Sequence, residues 1–309
     1  MPPEQRADQQ RGLQAALLAF TAWGLLTIYW KRLGHLDHFE MIGWRVGSAA
    51  VLMIAYTAVR RRLGSIVAAL RDRATLGRVV LASLLLSVNW TTYVWAVGEG
   101  RIVETALGYF LAPLGTIAMG TLLLGERLTP AQRVSVGCTV IAVVVLTVSY
   151  GQLPWVALVL GASWSWYGLI KRGVALDSTD SLAAELLVVV VPAVVLAGSG
   201  FFRSGGVPDQ AAGIDWALIL GTGVITAVPL VLFAFAAKRV PFTILGPCNY
   251  LVPIINFVLG WLVYHEAMPT SRFVGFGFVW VALALVTVDT VRADRAARRL
   301  VIAPVTTGV

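Results

Sequence analysis

The sequence predicts an all-α integral membrane protein of ten transmembrane helices, built as two inverted five-helix repeats with both termini in the cytoplasm. Three observations carry that expectation. Of 309 residues, 58% are apolar and only 13% charged, with a mean hydropathy of +0.80, a composition that no soluble domain of this size carries on its surface. The charges leave long apolar blocks untouched, most of them near the roughly 20 residues that a membrane crossing needs. One block that is broken by glycine and proline has a partner in the other half of the chain.

In chain order, residues 1–11 form a cytoplasmic N-terminal segment. The stretch 13–30 ends in "YWKR" without a small-residue cleavage site, so it reads as a retained helix rather than a signal peptide. The stretch 46–59 is too short alone and needs "MIGW" and Arg45 added at its start. Spans follow at 79–98 and 105–125. The block 134–170 is 37 residues long and is split by "GQLP" at 151–154 into two spans joined by a tight turn. The rest lie at 186–202, 216–237, 240–264 and 273–288, and the basic segment 292–309 is a cytoplasmic tail. Residues 12–150 thus form the first repeat and 151–291 the second. Cys138 and Cys248 fall inside spans as small buried thiols, and no disulfide is implied.

The net charge of +8 is a matter of distribution. Eighteen of the 24 Lys and Arg residues fall in segments on one side, and Lys31, Arg32, Arg45, Arg101, Arg203 and Arg272 on the other. The positive-inside rule therefore places both termini in the cytoplasm, and the charge orients the chain rather than serving nucleic acid.

"ETALGYFLAPLGTIAMGTLLLGERLTP" at 104–130 has no charge between Glu104 and Glu126, yet it contains Pro113 and Gly120. Its part from Pro113 to Glu126 aligns without a gap on Pro253 to Glu266 within "LGPCNYLVPIINFVLGWLVYHEAMP" at 245–269, with Pro253, Gly260 and Glu266 matching Pro113, Gly120 and Glu126. "YWKR" at 29–32 pairs with "LIKR" at 169–172, and Glu40 and Glu185 each precede a second span. A five-span unit used twice must cross in opposite senses, because five is odd. In inverted repeats, proline-interrupted helices at corresponding places point to a solute cavity, since broken backbone is tolerated only against protein or water. The competing account is a kinked packing helix with Gly108 and Ala112 as a small-residue contact.

The blocks "WGLLTIYWK", "NWTTYVWAV", "ETALGYFLAPL", "GERLTPAQ", "LPWVALVLGASWSWYGLIKR", "VPLVLFAFAAKRVPF" and "NYLVP", in this order, resemble the EamA-type drug/metabolite transporters, and within them the RarD branch of chloramphenicol-sensitive permeases. The resemblance runs from about residue 12 to 290. It implies a multi-pass permease of the cytoplasmic membrane that moves a small metabolite or drug without ATP. The solute and the lipid bilayer are then the partners, with H+ or a counter-substrate left open for coupling. Asn249 stands where that family usually carries glutamine, and Trp44 where it carries histidine.

Polar groups inside spans need partners or roles. Glu40, Arg45 and Glu104 are either a structural ion-pair group or a gate or proton-linked anion site. Asn89, with Trp90 and Tyr93 around it, bonds a neighbour or a ligand. Asn249, Tyr250 and Asn256 bracket Pro253 and either repair the helix or touch solute. Tyr109, Trp164 and Tyr167 could wall a cavity for flat or apolar ligands, whereas Trp155 and Trp216 fit interface anchoring. Glu126 and Glu266, at opposite membrane faces, read as caps or as bonds to the facing repeat, and with Glu185 they complete the set of gating or coupling charges.

There is no phosphate-binding G-x-x-x-x-G-K-[ST] loop and no second histidine after "HE" at 265–266, and His35 and His38 read as a surface pair. Nucleophile, base and orienter do not occur together, so neither catalysis nor a metal or cofactor is expected. A central cavity lined by spans one, three, four, six, eight and nine would serve alternating access. The alternatives are a non-transporting membrane sensor and, further off, a membrane-embedded lipid enzyme.

Overall fold

The computed structural model describes residues 3–302 apart from 126, 238, 241–244 and 246–247, and the described residues form helices joined by short turns. They are α1 (Pro3–Arg32), α2 (His38–Val59), α3 (Leu63–Leu70), α4 (Arg73–Gly98), α5 (Ile102–Leu124), α6 (Pro130–Tyr150), α7 (Trp155–Arg172), α8 (Ser178–Ser199), α9 (Val207–Gln210), α10 (Ile214–Ala237), α11 (Leu251–Val258) and α12 (Thr270–Ile302). A π-helical turn, Leu259–Val263, continues α11. Among the described residues eight helices are long and apolar enough to cross a membrane; α7 is not one of them, and α11 with its π turn is shorter.

Local chemistry sets the boundaries. The Asp37 carboxylate accepts from the amides of Phe39 and Glu40 to start α2, and Asp177 does the same for Thr179 and Asp180 at α8. Thr129 and Gln132 form a reciprocal capping box at α6, with Pro130 in its first turn. Gly125 and Gly151 end α5 and α6 in left-handed backbone that favours glycine.

Three sequence expectations change. The second span begins at His38, so Glu40 lies within it and Arg45, expected at its start, sits seven residues in. Glu185 does not precede a span: it is the eighth residue of α8. The counterpart of Glu40 is Asp180, because each lies three residues after a capping aspartate. These caps are separated by the same 140 residues that relate Pro113 to Pro253. At that separation, Arg45 corresponds to Glu185.

The third change concerns the prolines. Helix α5 runs unbroken through Pro113, whereas the interruption near Pro253 falls at Asn249 and Tyr250, which form a turn ahead of α11. Asn249 owns the carbonyl that residue 253 would have bonded in a continuous helix; Val252 N donates to it instead at 3.4 Å. Pro192 in α8 and Pro229 in α10 are further helix-interior prolines, not singled out by the repeat pattern.

End-to-end contacts give the helix directions. At one end, the tail end, Arg62 bonds Asp177 and Asp180, Arg78 donates to the Gly173 carbonyl, Arg239 meets Asp8, and Thr129 donates to Asp289. At the other, the loop end, Lys31 donates to the Val97 and Gly98 carbonyls and the Glu266 carboxylate accepts from Ile102 and Val103. The most extensive packing always joins a helix before residue 151 to one after it: α6 with α12, α2 with α8, α5 with α7, α2 with α10, α4 with α7 and α1 with α10. Exchanging α1, α2, α4, α5 and α6 for α7, α8, α10, α11 and α12 maps this set onto itself once the lighter pairs α1·α11 and α4·α8 are included. Close approach explains some of the glycines: a Cβ on Gly108 would lie 2.7 Å from Leu160 Cβ and 3.0 Å from the Ala157 carbonyl.

Candidate functional site

A cavity of about 400 Å³ opens toward the tail end, walled by Phe20, Trp23, Trp164, Tyr167, Leu230 and Asn249, with Lys171 and Thr179 near its mouth. It narrows into a deeper chamber of about 140 Å³, where Trp90, Tyr109, Thr226 and Pro253 join the wall. The lining therefore comes from α1, α4, α5, α7, α10 and the start of α11, as the sequence expects, and also from α2 through Met53 and α8 through Leu182.

Beyond the chamber the loop end is sealed. Trp30, Leu33, Leu36, Ile102 and Val103 are buried there. The Ile102 and Val103 amides, unpaired at the start of α5, donate to Glu266 at 2.6 and 2.8 Å. Burial pushes the Glu266 carboxyl above its usual range, against the opposing pull of those two amides. Asp215 takes Arg32 and His35 from the end of α1 and the turn after it.

The expected side chains divide by location. Trp90, Tyr109, Trp164, Tyr167 and Asn249 line the cavity. Asn89 does not: its amide nitrogen donates to the Leu160 carbonyl and to Ser163, and its oxygen accepts from Tyr109, so it fastens α4 to α7. Tyr93 and Asn256 sit behind the wall, where Thr27 donates to Asn256 Oδ1 at 2.7 Å and is 2.8 Å from the Tyr93 hydroxyl. Tyr250 faces a separate lateral crevice with Phe110 and Trp280. Pro113 and Gly120 are outside the lining. Gly260 is buried where any Cβ would press on Val103 at 2.8 Å. Glu126 lies outside the described residues.

Glu40, Arg45 and Glu104 do not pair with one another. Glu40, 1% exposed, bonds Arg203 and the Val207 amide, and Asp37 shares Arg203 at 2.7 Å. Glu104 bonds Arg101 and accepts from the Val156 amide that opens α7. Glu185 accepts from Lys171, Tyr167 and Ser181.

Arg45 is left over. It is 5% exposed, lies seven residues or about 10 Å into α2, and among the described residues its Nε and Nη1 have no hydrogen-bond partner. The guanidinium rests against the rings of Trp30 and Trp90, 4.9 and 4.4 Å from their centroids. An arginine within a span costs roughly 2.5–3.5 kcal/mol on insertion scales, which the two rings offset only in part. The sequence also missed Lys171 and Arg203. Lys171 was visible as the first charge after a 37-residue apolar block; the reach of Arg203 to Glu40 across 163 residues leaves no local trace.

Among the described residues no group of three or more His, Cys, Asp or Glu could hold a metal. The lining is mostly aromatic and apolar, a surface suited to an apolar or aromatic solute.

Residues 10–148 and 154–288 each match the EamA-like transporter family. The chain is 43% identical to "Protein RarD" of Streptomyces exfoliatus over 94% of this chain and 92% of that protein. It is 34% identical to "Uncharacterized transporter YojE" of Bacillus subtilis (strain 168), over 95% and 99%. A solved crystal structure with 18% identity superimposes at a TM-score of 0.57, covering 91% of this chain and 98% of its own, a likeness of fold.

Proposed function

Because this chain belongs to the EamA-like transporter family, we propose that it carries a small metabolite or drug-like solute across the cell membrane without ATP, by alternating access through the cavity between its two halves. Ten crossings are counted in this reading, α7 and α11 included, as two inverted repeats. The tail end, where the Lys and Arg residues concentrate, faces the cytoplasm. H+ or a counter-substrate is the coupling partner.

The observation that carries the reading is a single aromatic cavity lined from both family-matched segments, reaching the tail end and stopped at the loop end. A path of that shape is one half of an access cycle. The two matches within one chain support the repeat, and the exchange of packing pairs between halves supports its inversion.

Purified protein in sealed vesicles tests it. Labelled solute should enter faster than in protein-free vesicles and exchange with unlabelled solute trapped inside. An imposed pH gradient that drives accumulation would identify H+ as the coupling ion, and trapped solute that alone drives it would identify exchange. Binding without any acceleration of flux would instead favour a sensor, and formation of product without translocation an enzyme.

A further inference from the structure

We propose that Arg45 is the anion-binding group of this cavity, and that the solute is a small organic carboxylate with an aromatic or branched apolar body and no ammonium group. The proposal rests on the transporter reading for what happens to the solute, but not for its binding.

Three observations converge. The first is that Arg45 is, among the described residues, an unpaired and nearly sealed cation, and that the acids of the loop end have other partners. Glu40 holds Arg203 and the α9 amide, Glu104 holds Arg101 and the α7 amide, and Asp215 holds Arg32 and His35. A buried cation without a protein counterion is completed by an anion from elsewhere. The second is access. Trp90 both covers the guanidinium and lines the deep chamber, so one side chain separates Arg45 from the cavity. A rotation of Trp90 would bring a carboxylate onto the fork of N–H donors, which suits bidentate recognition.

The third is the comparison of halves. Residue 185, the counterpart of residue 45, is a glutamate saturated by Lys171, Tyr167 and Ser181. Among the described residues Lys171 is the only ionic side chain on the cavity wall, and Glu185 neutralises it. The uncompensated charge beside the path is therefore positive. Among the described residues, no free carboxylate lines the cavity to receive an ammonium group, so a monoanion fits better than a zwitterion or an amine. The aromatic walls and the narrow chamber suit a single ring or a branched chain.

The test is equilibrium binding to the full-length protein, read by thermal stabilisation and by tryptophan emission, since Trp30 and Trp90 flank the site. The probes are benzoate, phenylacetate, benzyl alcohol, benzylamine, phenylalanine and chloride. Benzoate or phenylacetate should stabilise the wild type while benzyl alcohol and benzylamine do not. Arg45→Gln should weaken that binding by roughly tenfold to a hundredfold, the loss expected for a charge-assisted pair. Arg45→Lys should retain part of it. Without ligand, Arg45→Gln should melt no lower than the wild type, because it removes an unpaired charge; should the variant fail to fold, Trp90→Ala supplies a second reading by strengthening or weakening carboxylate binding while Arg45 is intact. Carboxylate binding indifferent to both Arg45→Gln and Trp90→Ala, no carboxylate binding at all, chloride as effective as benzoate, or phenylalanine preferred over phenylacetate would each overturn the proposal. Carboxylate binding without vesicle flux would leave the anion site standing and remove the transporter reading. Flux of a neutral solute unaffected by Arg45→Gln would do the reverse.

Discussion

Glu266 illustrates what single residues disclose. Its place after a Gly/Pro-marked span suggested a cap or a bond to the facing repeat, and its carboxylate accepts from the first two amides of α5. Glu266→Ala should therefore lower stability by about 1 kcal/mol, as loss of an N-terminal cap does, whereas Glu266→Gln keeps an acceptor and should lose less; thermal melts of both variants in detergent check this. Spacing served less well for Glu40 and Arg45. Five residues apart, they were left open with Glu104 between an ion-pair group and a gate or anion site, and Arg203 from beyond α8 claims Glu40. A one-dimensional reading cannot weigh a nearby poor geometry against a remote good one. Asp37 gives a pH test at this scale. Burial alone would raise its carboxyl, but the Glu40 amide and the Arg203 guanidinium outweigh it and hold it below the usual range. A lowered carboxyl contributes stability above its unfolded value, near 4, that is lost as pH falls through the folded value. Melting temperatures taken from pH 6 down to pH 3 should decline with a component that Asp37→Asn removes.

Helices were legible where charge bounds a charge-free length. The stretches 79–98 and 134–150 reappear in α4 and α6, whereas the caps at Asp37 and Asp177 start α2 and α8 eight residues ahead of their charge-free stretches. The two prolines behaved unequally for a reason that the motif could not show. Pro113 enters a helix held by its neighbour: Ser165 donates to the Ala112 carbonyl at 2.8 Å, and Gly108 lets α7 approach along the same face. Pro253 instead sits in the first turn of α11, where its missing N–H is unneeded, and the break moves back to Asn249. The small-residue contact and the cavity were weighed as rivals, but they occupy different faces of α5, with Gly108 on α7 and Tyr109 on the chamber. Gly108→Val should thus act on packing, costing about 1–3 kcal/mol through overpacking against Leu160 and Ala157. A melt should show the loss, while affinity for any solute found falls much less.

Across the whole molecule, the ionic contacts at the two ends differ in kind. Arg203 with Asp37 and Glu40, and Arg62 with Asp177 and Asp180, are counterparts that fasten both ends of the antiparallel pair α2 and α8. They join one pair of helices and lie outside the cavity lining. The contact of Lys31 with the end of α4, by contrast, belongs to the seal beyond the chamber. A short bifunctional thiol reagent joining Arg62→Cys to Asp177→Cys should leave vesicle flux near that of the uncrosslinked double variant. The same reagent joining Lys31→Cys to Glu99→Cys should suppress it, and equal effects of the two crosslinks would contradict this division of labour. Likeness between the two segments was visible in the sequence; their interlocking was not, because alignment reports likeness between segments and not which surfaces they present. The packing pairs that matter join one half to the other, so neither half owns a core. That has a consequence in time. At 5–20 residues per second, residues 1–150 are made roughly 8–30 s before residues 151–309 are complete. During that interval α2, α5 and α6 lack α8, α7 and α12, the helices they pack against most extensively in the finished chain, so the earlier segment is an orphan until the later one arrives.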